Sequence, residues 1–511
     1  MNKNFLELCN KITSIEDLVI LSYSFLYTEF SSTNVHKYNP NENRDIQEII
    51  SVFFERSSYD YDGAIIELTE NISELGKRRK FNFNDFYSII TSIDRHYKYV
   101  PKVSGMDFNT FNDYITLSES FEDYDIMLLP RPGKTFIDEF NKTLKEHEKN
   151  ESKQKSGLRK CLPYNNNNIN AYLKNLLLIN KNDVNSNQLV VHEYIESKYN
   201  KTLFINNILN RKSIKLVLVP VTKKCLDEIF DIDNDGSFFW IKGIKSSEEE
   251  KIVKLYITII DKYRSADVDF IVFPELFLTE NILNAVQNYL LESESERLQF
   301  FILGSMWEDY KNKTVVMTSD GEYICDQLKQ IPFTFNNLEE KLINDNSIIN
   351  ILDFPNFARI NIFICRDITD DKLMSIPKQI GTNLIIAPSY SSSLNMKGIA
   401  KNLASNYYCT TIMVNSCSAK FNDSSVNSRR NLGFVCQPLK NGTESDNKVI
   451  EYKFDKKCNL CNYDCLGYTV EIMFNELYNQ NEKTFNTVIK KNIIVILTVH
   501  IFYAKIKMNY K

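Results

Sequence analysis

The sequence predicts an α/β fold preceded by a mainly α-helical N-terminal domain, and three patterns carry that expectation. Beyond residue 213, short β-branched and aromatic runs alternate with stretches of helical spacing, as a sheet with crossover helices requires. Before residue 143, apolar residues recur three and four apart, which gathers them on one helix face. Between the two, Lys145 to Lys160 offers almost nothing to bury and Asn165 to Asn168 is a low-complexity patch, so a linker or long exposed loop is expected. The chain therefore divides into a helical domain (1–143), a linker with a connecting helix (144–212), an α/β domain (213–475) and a C-terminal tail (476–511).

In chain order, Phe5, Leu6, Cys9 and Ile12 mark the first helix. Ile46, Ile49, Ile50, Phe53 and Phe54 mark another, and Ile65, Ile66, Leu68, Ile72 and Leu75 the next. Lys77-Arg78-Arg79-Lys80 is a basic knot that reads better as a solvated face at a helix end than as a phosphate or nucleic-acid contact. This half shows no P-loop, zinc-finger spacing or polymerase aspartate signature, and its role is left open. Helical patterning returns over Leu189 to Leu209.

The α/β rhythm begins with a strand at Ile214 to Val221. Asp231-Ile232-Asp233-Asn234-Asp235-Gly236 matches the first half of an EF-hand loop, but Lys242 stands where the bidentate glutamate belongs, so an acidic turn is expected. Ser247 to Tyr263 reads as a helix with Ser247 as its N-cap. Asp269 to Phe273 is a buried strand, ended by Pro274, which cannot donate to a sheet ladder. A helix near Glu280 to Leu291 follows, then strands at Phe300 to Gly304, Thr314 to Thr318, Arg359 to Ile364, Asn383 to Ala387 and Thr411 to Asn415.

Composition sets limits on function. A chain of 511 residues, 43% apolar and 25% charged, is ordinary for globular domains and long enough for two or more cores. Its net charge of -5 argues against nucleic-acid binding over the whole surface. Met1 to Glu7 lacks the apolar core of a secretory leader, so the eleven cysteines are expected as reduced thiols in a cytoplasmic protein. Ile493 to Ala504 is the one membrane-like run, shorter than the roughly 20 residues of a spanning helix, and is expected as a buried strand or oligomer contact instead of a membrane anchor.

Three segments carry chemistry. Phe273-Pro274-Glu275-Leu276 delivers a carboxylate at a strand end, among apolar residues where an unused carboxylate is costly. Ser319 to Lys329 is an Asp-Gly turn followed by a run that ends in lysine. Ile362-Phe363-Ile364-Cys365-Arg366-Asp367 is an apolar strand that ends in a thiol. A carboxylate, an ammonium and a thiol gathered at one sheet edge suit nucleophilic attack on an electrophilic carbon. The thiol attacks, the carboxylate carries protons and the ammonium stabilises developing negative charge. None of the five histidines (His36, His96, His147, His192, His500) lies between 193 and 499, which ranks a Cys-His dyad far below a Glu-Lys-Cys set.

These segments resemble, in order, the motifs of the nitrilase superfamily of carbon–nitrogen hydrolases. Gly304-Ser305, the run Gly381 to Ser389, and Met413-Val414-Asn415 resemble further strand ends of that family. The resemblance covers about residues 213 to 475 and implies an α-β-β-α sandwich with Glu275 as general base, Lys329 as catalytic lysine and Cys365 as nucleophile. It implies a second glutamate between lysine and cysteine, a place that either Glu339 or Glu340 can fill. Arg366 departs from the family's aromatic preference, the stretch from Glu275 to Gly304 is short, and Ser416-Cys417 replaces the usual approach to a glycine.

The expectation is a cysteine-dependent, amidase-like hydrolase acting on a small amide or nitrile through a thioester, with no cofactor and no metal. Self-association is expected, together with a protein partner for the helical half. The alternative is a divergent binding or assembly module of a bacterial complex, such as one serving phage defence. Cys458, Cys461 and Cys465 have spacing that would allow three zinc ligands, with Cys417 or Cys436 as a fourth, but free thiols in a loop are the better reading.

Overall fold

The structure is a computed structural model. It describes residues 2–30, 43–57, 59–97, 126–130, 173, 176–180, 188–194 and 213–473, the last without 225, 294–297, 336, 344–346, 355–357, 392–394, 408, 418–430, 438–447, 454–462 and 464. Most of the expected linker, the expected tail with its Ile493 to Ala504 run, and Cys458 and Cys461 lie outside the described residues.

Five helices open the chain: α1 (Asn2–Cys9), α2 (Ile15–Phe30), α3 (Arg44–Ser57), α4 (Tyr61–Arg78) and α5 (Phe83–Tyr97). Ser14 and Asp17 cap the start of α2 reciprocally: the Ser14 amide donates to the Asp17 carboxylate at 3.0 Å and the Asp17 amide to the Ser14 hydroxyl at 3.1 Å. The helical stripes read from the sequence meet in one apolar cluster that includes Phe5, Cys9, Ile50, Leu68 and Phe86. A hairpin-like pair not foreseen in the sequence, β1 (Ile126–Pro130) antiparallel to β2 (Leu176–Asn180), adds Leu176 and Leu178 to that cluster. The basic knot is partly structural. Lys77 and Arg78 are exposed, whereas Arg79 forms an ion pair at 2.6 Å with the buried Asp85.

The stretch from Leu189 was expected to be helical, and its described part is a strand, β3 (Gln188–Tyr194). Val190 and Val191 are β-branched, and the strand pairs in parallel with β13 (Ser347–Phe354), a tertiary contact that local spacing cannot reveal.

The remaining strands form three sheets. In the six-stranded sheet the order is β10 (Tyr323–Leu328), β9 (Lys311–Thr318), β8 (Phe300–Glu308), β7 (Phe270–Val272), β4 (Ser213–Leu218) and β19 (Tyr468–Met473), with β8, β7 and β4 mutually parallel. The seven-stranded sheet runs β18 (Lys448–Lys453), β17 (Asn431–Gln437), β16 (Thr410–Asn415), β15 (Leu384–Ser389), β14 (Ala358–Ile362), β13 and β3, with β16, β15 and β14 parallel. A small sheet orders β11 (Thr334–Phe335), β12 (Leu338–Glu340), β6 (Phe238–Ile244) and β5 (Phe230–Asn234). The expected acidic turn is the tip of the β5–β6 hairpin. There Asp235 accepts from the amides of Ser237 and Phe238 at 3.1 and 2.8 Å, and Lys242 pairs with Asp233 at 2.6 Å instead of leaving a cation loop.

Alternate residues of the two large sheets enter one apolar cluster, with Leu216, Phe270 and Ile302 from one sheet and Ile360, Ile386 and Ile412 from the other. The opposite face of the six-stranded sheet packs on α7 (Ser246–Arg264) and α8 (Glu280–Leu291), which follow the four-residue α6 (Leu226–Ile229). That of the seven-stranded sheet packs on α9 (Asp371–Ile380) and α10 (Asn395–Tyr407). Ser247 is not the cap of α7. The helix starts one residue earlier behind Lys245, which makes no side-chain cap, and Glu248 in its first turn is tied instead to Lys224 at 2.6 Å and Lys251 at 2.8 Å.

Candidate active site

Glu275 is delivered by the end of β7, the middle of three parallel strands. The Phe273 amide still donates to Ile302 O at 2.9 Å; then Pro274 ends the ladder and the chain turns at Leu276, whose φ is +75°. Such a conformation is strained in a non-glycine residue and needs outside support. Ser305 supplies it, accepting the Leu276 amide on its hydroxyl at 2.9 Å and the Leu278 amide on its carbonyl at 3.0 Å. Gly304 also has a positive φ, and a Cβ there would sit 2.2 Å from the Pro274 carbonyl oxygen. The Gly-Ser pair is thus what holds the Glu275 turn.

Lys329 follows β10, its amide bound to Asn312 O at 2.8 Å. Its ammonium donates to Glu275 Oε1 at 2.8 Å and to Glu340 Oε2 at 2.6 Å. Glu340 is buried whereas Glu339 is exposed, so strand alternation in β12 turns Glu340 inward and leaves Glu339 outside the cluster. The Phe333 amide completes the Glu340 carboxylate at 2.8 Å. Asn312 bridges the two acids, its Nδ2 donating to Glu275 Oε1 at 3.0 Å and to Glu340 Oε1 at 3.4 Å.

Cys365 stands where β14 gives way to a short 3₁₀ turn, Cys365–Thr369, with φ +47°. Asp367, two residues on, is fully buried and braces this elbow. Its carboxylate accepts the amides of Ile364 at 3.0 Å, Gln330 at 2.9 Å and Ile331 at 2.8 Å, which ties the thiol's elbow to the segment just past Lys329. Tyr390, following β15, donates its amide to Glu275 Oε2 at 2.9 Å. Glu275 and the Tyr390 amide act in opposite senses on the Cys365 thiol, the carboxylate opposing its ionisation and the amide favouring it. Arg366, half-buried, reaches Thr334 Oγ1 at 3.4 Å.

Electrostatics follow from the dryness of this cluster. Burial, and then the Glu275 charge, push the Cys365 pKa well above that of a free thiol, against the pull of Lys329. Burial also opposes the Lys329 charge, but the Glu275 and Glu340 carboxylates outweigh it and hold the lysine above its usual value. Glu340 is raised by burial despite the adjacent ammonium. Asp367 is pushed up to about 7 by burial, against the Ile331, Gln330 and Ile364 amides and the Lys329 charge. The thiol therefore rests protonated beside a carboxylate that can take its proton, an arrangement for base-assisted attack and not for a preformed thiolate.

The three residues singled out in the sequence, Glu275, Lys329 and Cys365, line one cavity of ≈ 230 Å³ together with Glu340 and Tyr390. Asn312 and the Tyr390 amide were not foreseen, and Asp367, the acid of the Ile-Cys-x-Asp run, was given no role of its own. Asn312 and Tyr390 act through a bridging amide and a main-chain group that leave no motif, while Asp367 had a signal in its fixed distance from the cysteine. Cys417 and Cys436 are each buried in an apolar cluster, while Cys458 and Cys461, with which either was to share a metal, lie outside the described residues. Among the described residues, no group of three or more His, Cys, Asp or Glu is placed to hold a metal ion.

No protein-family model and no curated protein matches this chain. Solved structures do, over about half of it, and nitrilase-superfamily proteins are among them. One is Nit3 of Saccharomyces cerevisiae, a nitrilase-superfamily member, at 14% identity and TM-score 0.33, covering 49% of this chain and 92% of Nit3. Another is an amidase of that superfamily from Nesterenkonia AN1, at 9% identity and TM-score 0.35, covering 52% of this chain and 93% of the amidase. The glutamine-dependent NAD+ synthetase of Acinetobacter baumannii matches at 15% identity and TM-score 0.36, over 52% of this chain. This chain spans about half the length of that synthetase, 47%. Likeness at these levels says nothing of chemistry, which has to be read from the site.

Proposed function

We propose that this chain is a cysteine-dependent carbon–nitrogen hydrolase of the amidase kind, built on a nitrilase-like α-β-β-α sandwich. The observation that carries the reading is the Lys329 ammonium held at 2.8 Å from Glu275 and 2.6 Å from Glu340, beside a buried Cys365 in the same cavity. Glu275 takes the thiol proton as Sγ bonds to the carbonyl carbon. The carbonyl electron pair moves to oxygen, and Lys329 stabilises the resulting oxyanion. Collapse breaks the carbon–nitrogen bond, and the proton on Glu275 passes to the departing amine, which leaves a thioester. A water molecule then attacks that carbon while giving its proton to Glu275. The acid departs and the thiol regains the proton. Glu340 and Asn312 hold Lys329 and Glu275 in place throughout.

The test uses acrylamide and fluoroacetamide as amide-shaped electrophiles, with intact-mass and peptide analysis. Cys365 is expected to be modified well before the other thiols, with ammonia released from simple amides, and both are expected to vanish in Cys365→Ala. Modification of Cys365 no faster than of the other cysteines, with no ammonia from any amide, would overturn the proposal.

A further inference from the structure

The small sheet β11-β12-β6-β5 is a wall of the cavity, and its two faces differ in character. In β5 and β6 the paired residues Ile232 and Ile241, and Asn234 and Phe239, lie directly opposite each other and face the cavity. Glu340 pairs in register with Phe239 across the β12–β6 junction, and Leu338 and Phe333 line the same space. The opposite face is polar. It carries the Asp233–Lys242 ion pair, with Lys341 lying over the Trp240 and Tyr310 rings at 4.8 and 4.6 Å. Strand alternation thus places Glu340 among apolar side chains, with Asn234 as a neutral polar member of the same face. Among the described residues, the charged side chains that line the cavity are Glu275, Lys329 and Glu340, and these are bound to one another.

From this we infer that the site takes carboxamides with a compact, uncharged, apolar acyl group, and that the β5–β6 hairpin sets that preference. The inference rests on the hydrolase reading above. An acyl carboxylate would leave water for a wall of Ile232, Phe239, Ile241 and Leu338, while the neighbouring ammonium is already held by two acids. A hydrocarbon acyl group gains from the same wall. The volume of ≈ 230 Å³ falls below the roughly 300–1,000 Å³ of pockets for drug-sized ligands, so the fit is to a short chain or a single ring. Asn234 offers a neutral amide at the edge of the wall and Ile232 is 40% exposed, so the hairpin meets the acyl group near the mouth.

The test measures binding without turnover, by calorimetry on full-length Cys365→Ala protein. The ligands are acetamide, butyramide and hexanamide, set against succinamate and glutamine. Affinity is expected to rise about fourfold for each added methylene until the cavity is full. Succinamate and glutamine should bind more weakly than butyramide. Ile232→Lys, at a site open enough to tolerate it, should weaken hexanamide binding and strengthen succinamate binding by up to about fivefold, the size of a half-exposed ion pair. Affinity that stays flat along the series, or succinamate or glutamine binding as tightly as hexanamide, would overturn the inference. The underlying reading fails separately, through absence of an acyl adduct on Cys365 in the wild-type chain. A charged amide that acylates Cys365 faster than hexanamide would leave the hydrolase standing and remove the apolar preference.

Discussion

Replacing Lys329 with Met tests the core of the site through stability, without assuming a substrate. Met fills nearly the same volume, so the change removes charge and little packing. Lys329, Glu275 and Glu340 are 2, 3 and 4% exposed, and the ammonium contacts both acids directly. Removing one partner of a buried ion pair typically costs about 3–5 kcal/mol, because the remaining charge is left uncompensated. At about 2–4 °C per kcal/mol for a domain of this size, the melting temperature should fall by roughly 6–20 °C. The pH dependence gives a second, signed criterion. Glu340 is already raised by burial, and Lys329 is the main group pulling it down, so its loss raises that carboxyl further. A carboxyl whose folded pKa lies above its unfolded value favours the fold at low pH and loses that contribution as pH rises through the folded value. The deficit of Lys329→Met should therefore be small near pH 4–5, close to the unfolded glutamate value of about 4.3, and widen toward pH 8. Adding Glu340→Gln should recover part of the loss at pH 8 and little at pH 5. Denaturant melts across that range are the assay. A variant as stable as wild type at pH 8, or a deficit that shrinks with rising pH, would refute the buried ion cluster.

Three further outcomes are expected. Glu275→Gln should abolish amide turnover while keeping the fold, and Lys329→Met should slow iodoacetamide modification of Cys365, since the Lys329 charge lowers the thiol's pKa, read by mass spectrometry at fixed pH. Gly304→Ala should lose activity together with about 1–3 kcal/mol of stability, because the new Cβ would meet the Pro274 carbonyl at 2.2 Å and push the Glu275 turn aside. Asp367→Asn presents one acceptor oxygen to three amide donors, so it should cost about 1–3 kcal/mol and lower kcat more than it changes KM, measured by denaturant melts and steady-state kinetics.

The three residues singled out were legible because each stands at the end of a strand-like run, apolar before Glu275 and Cys365 and led in by an Asp-Gly turn before Lys329. Pro274 ends β7 before Glu275, β10 ends just before Lys329, and β14 leads into the turn at Cys365. The alternation of strands and helices beyond residue 213 was legible for the same reason, since buried parallel strands read as continuous apolar runs. What stayed hidden depends on register between distant segments. Glu339 and Glu340 are neighbours in a strand of three residues, and only pairing with β6, about a hundred residues earlier, decides which one points inward. β3 carries residues compatible with either period, and its partner β13 lies far along the chain. Asn312 bridges Glu275 and Glu340 and the Tyr390 amide meets Glu275, contacts whose value depends on where Glu275 sits, so no local pattern announces them.

On the proposed mechanism, the charges in the cavity account for how a thiol held far from its ionised form acts as a nucleophile. Two carboxylates and one ammonium share a buried site, and a thiolate would add a further negative charge beside Glu275. Repulsion and desolvation both oppose that state, so Cys365 stays protonated while the cavity holds no amide-shaped electrophile. In the proposed reaction the balance changes when an amide carbonyl lies against the sulfur. The electron pair then moves through the new carbon–sulfur bond onto oxygen, and negative charge develops where Lys329 can meet it while the proton neutralises Glu275. Negative charge leaves the carboxylate as it forms on the oxyanion, so the cavity's total is unchanged through the step. A site organised in this way gains reactivity from a bound acyl group, and an apolar acyl group lying against the apolar wall lowers the local dielectric and strengthens each of those electrostatic interactions.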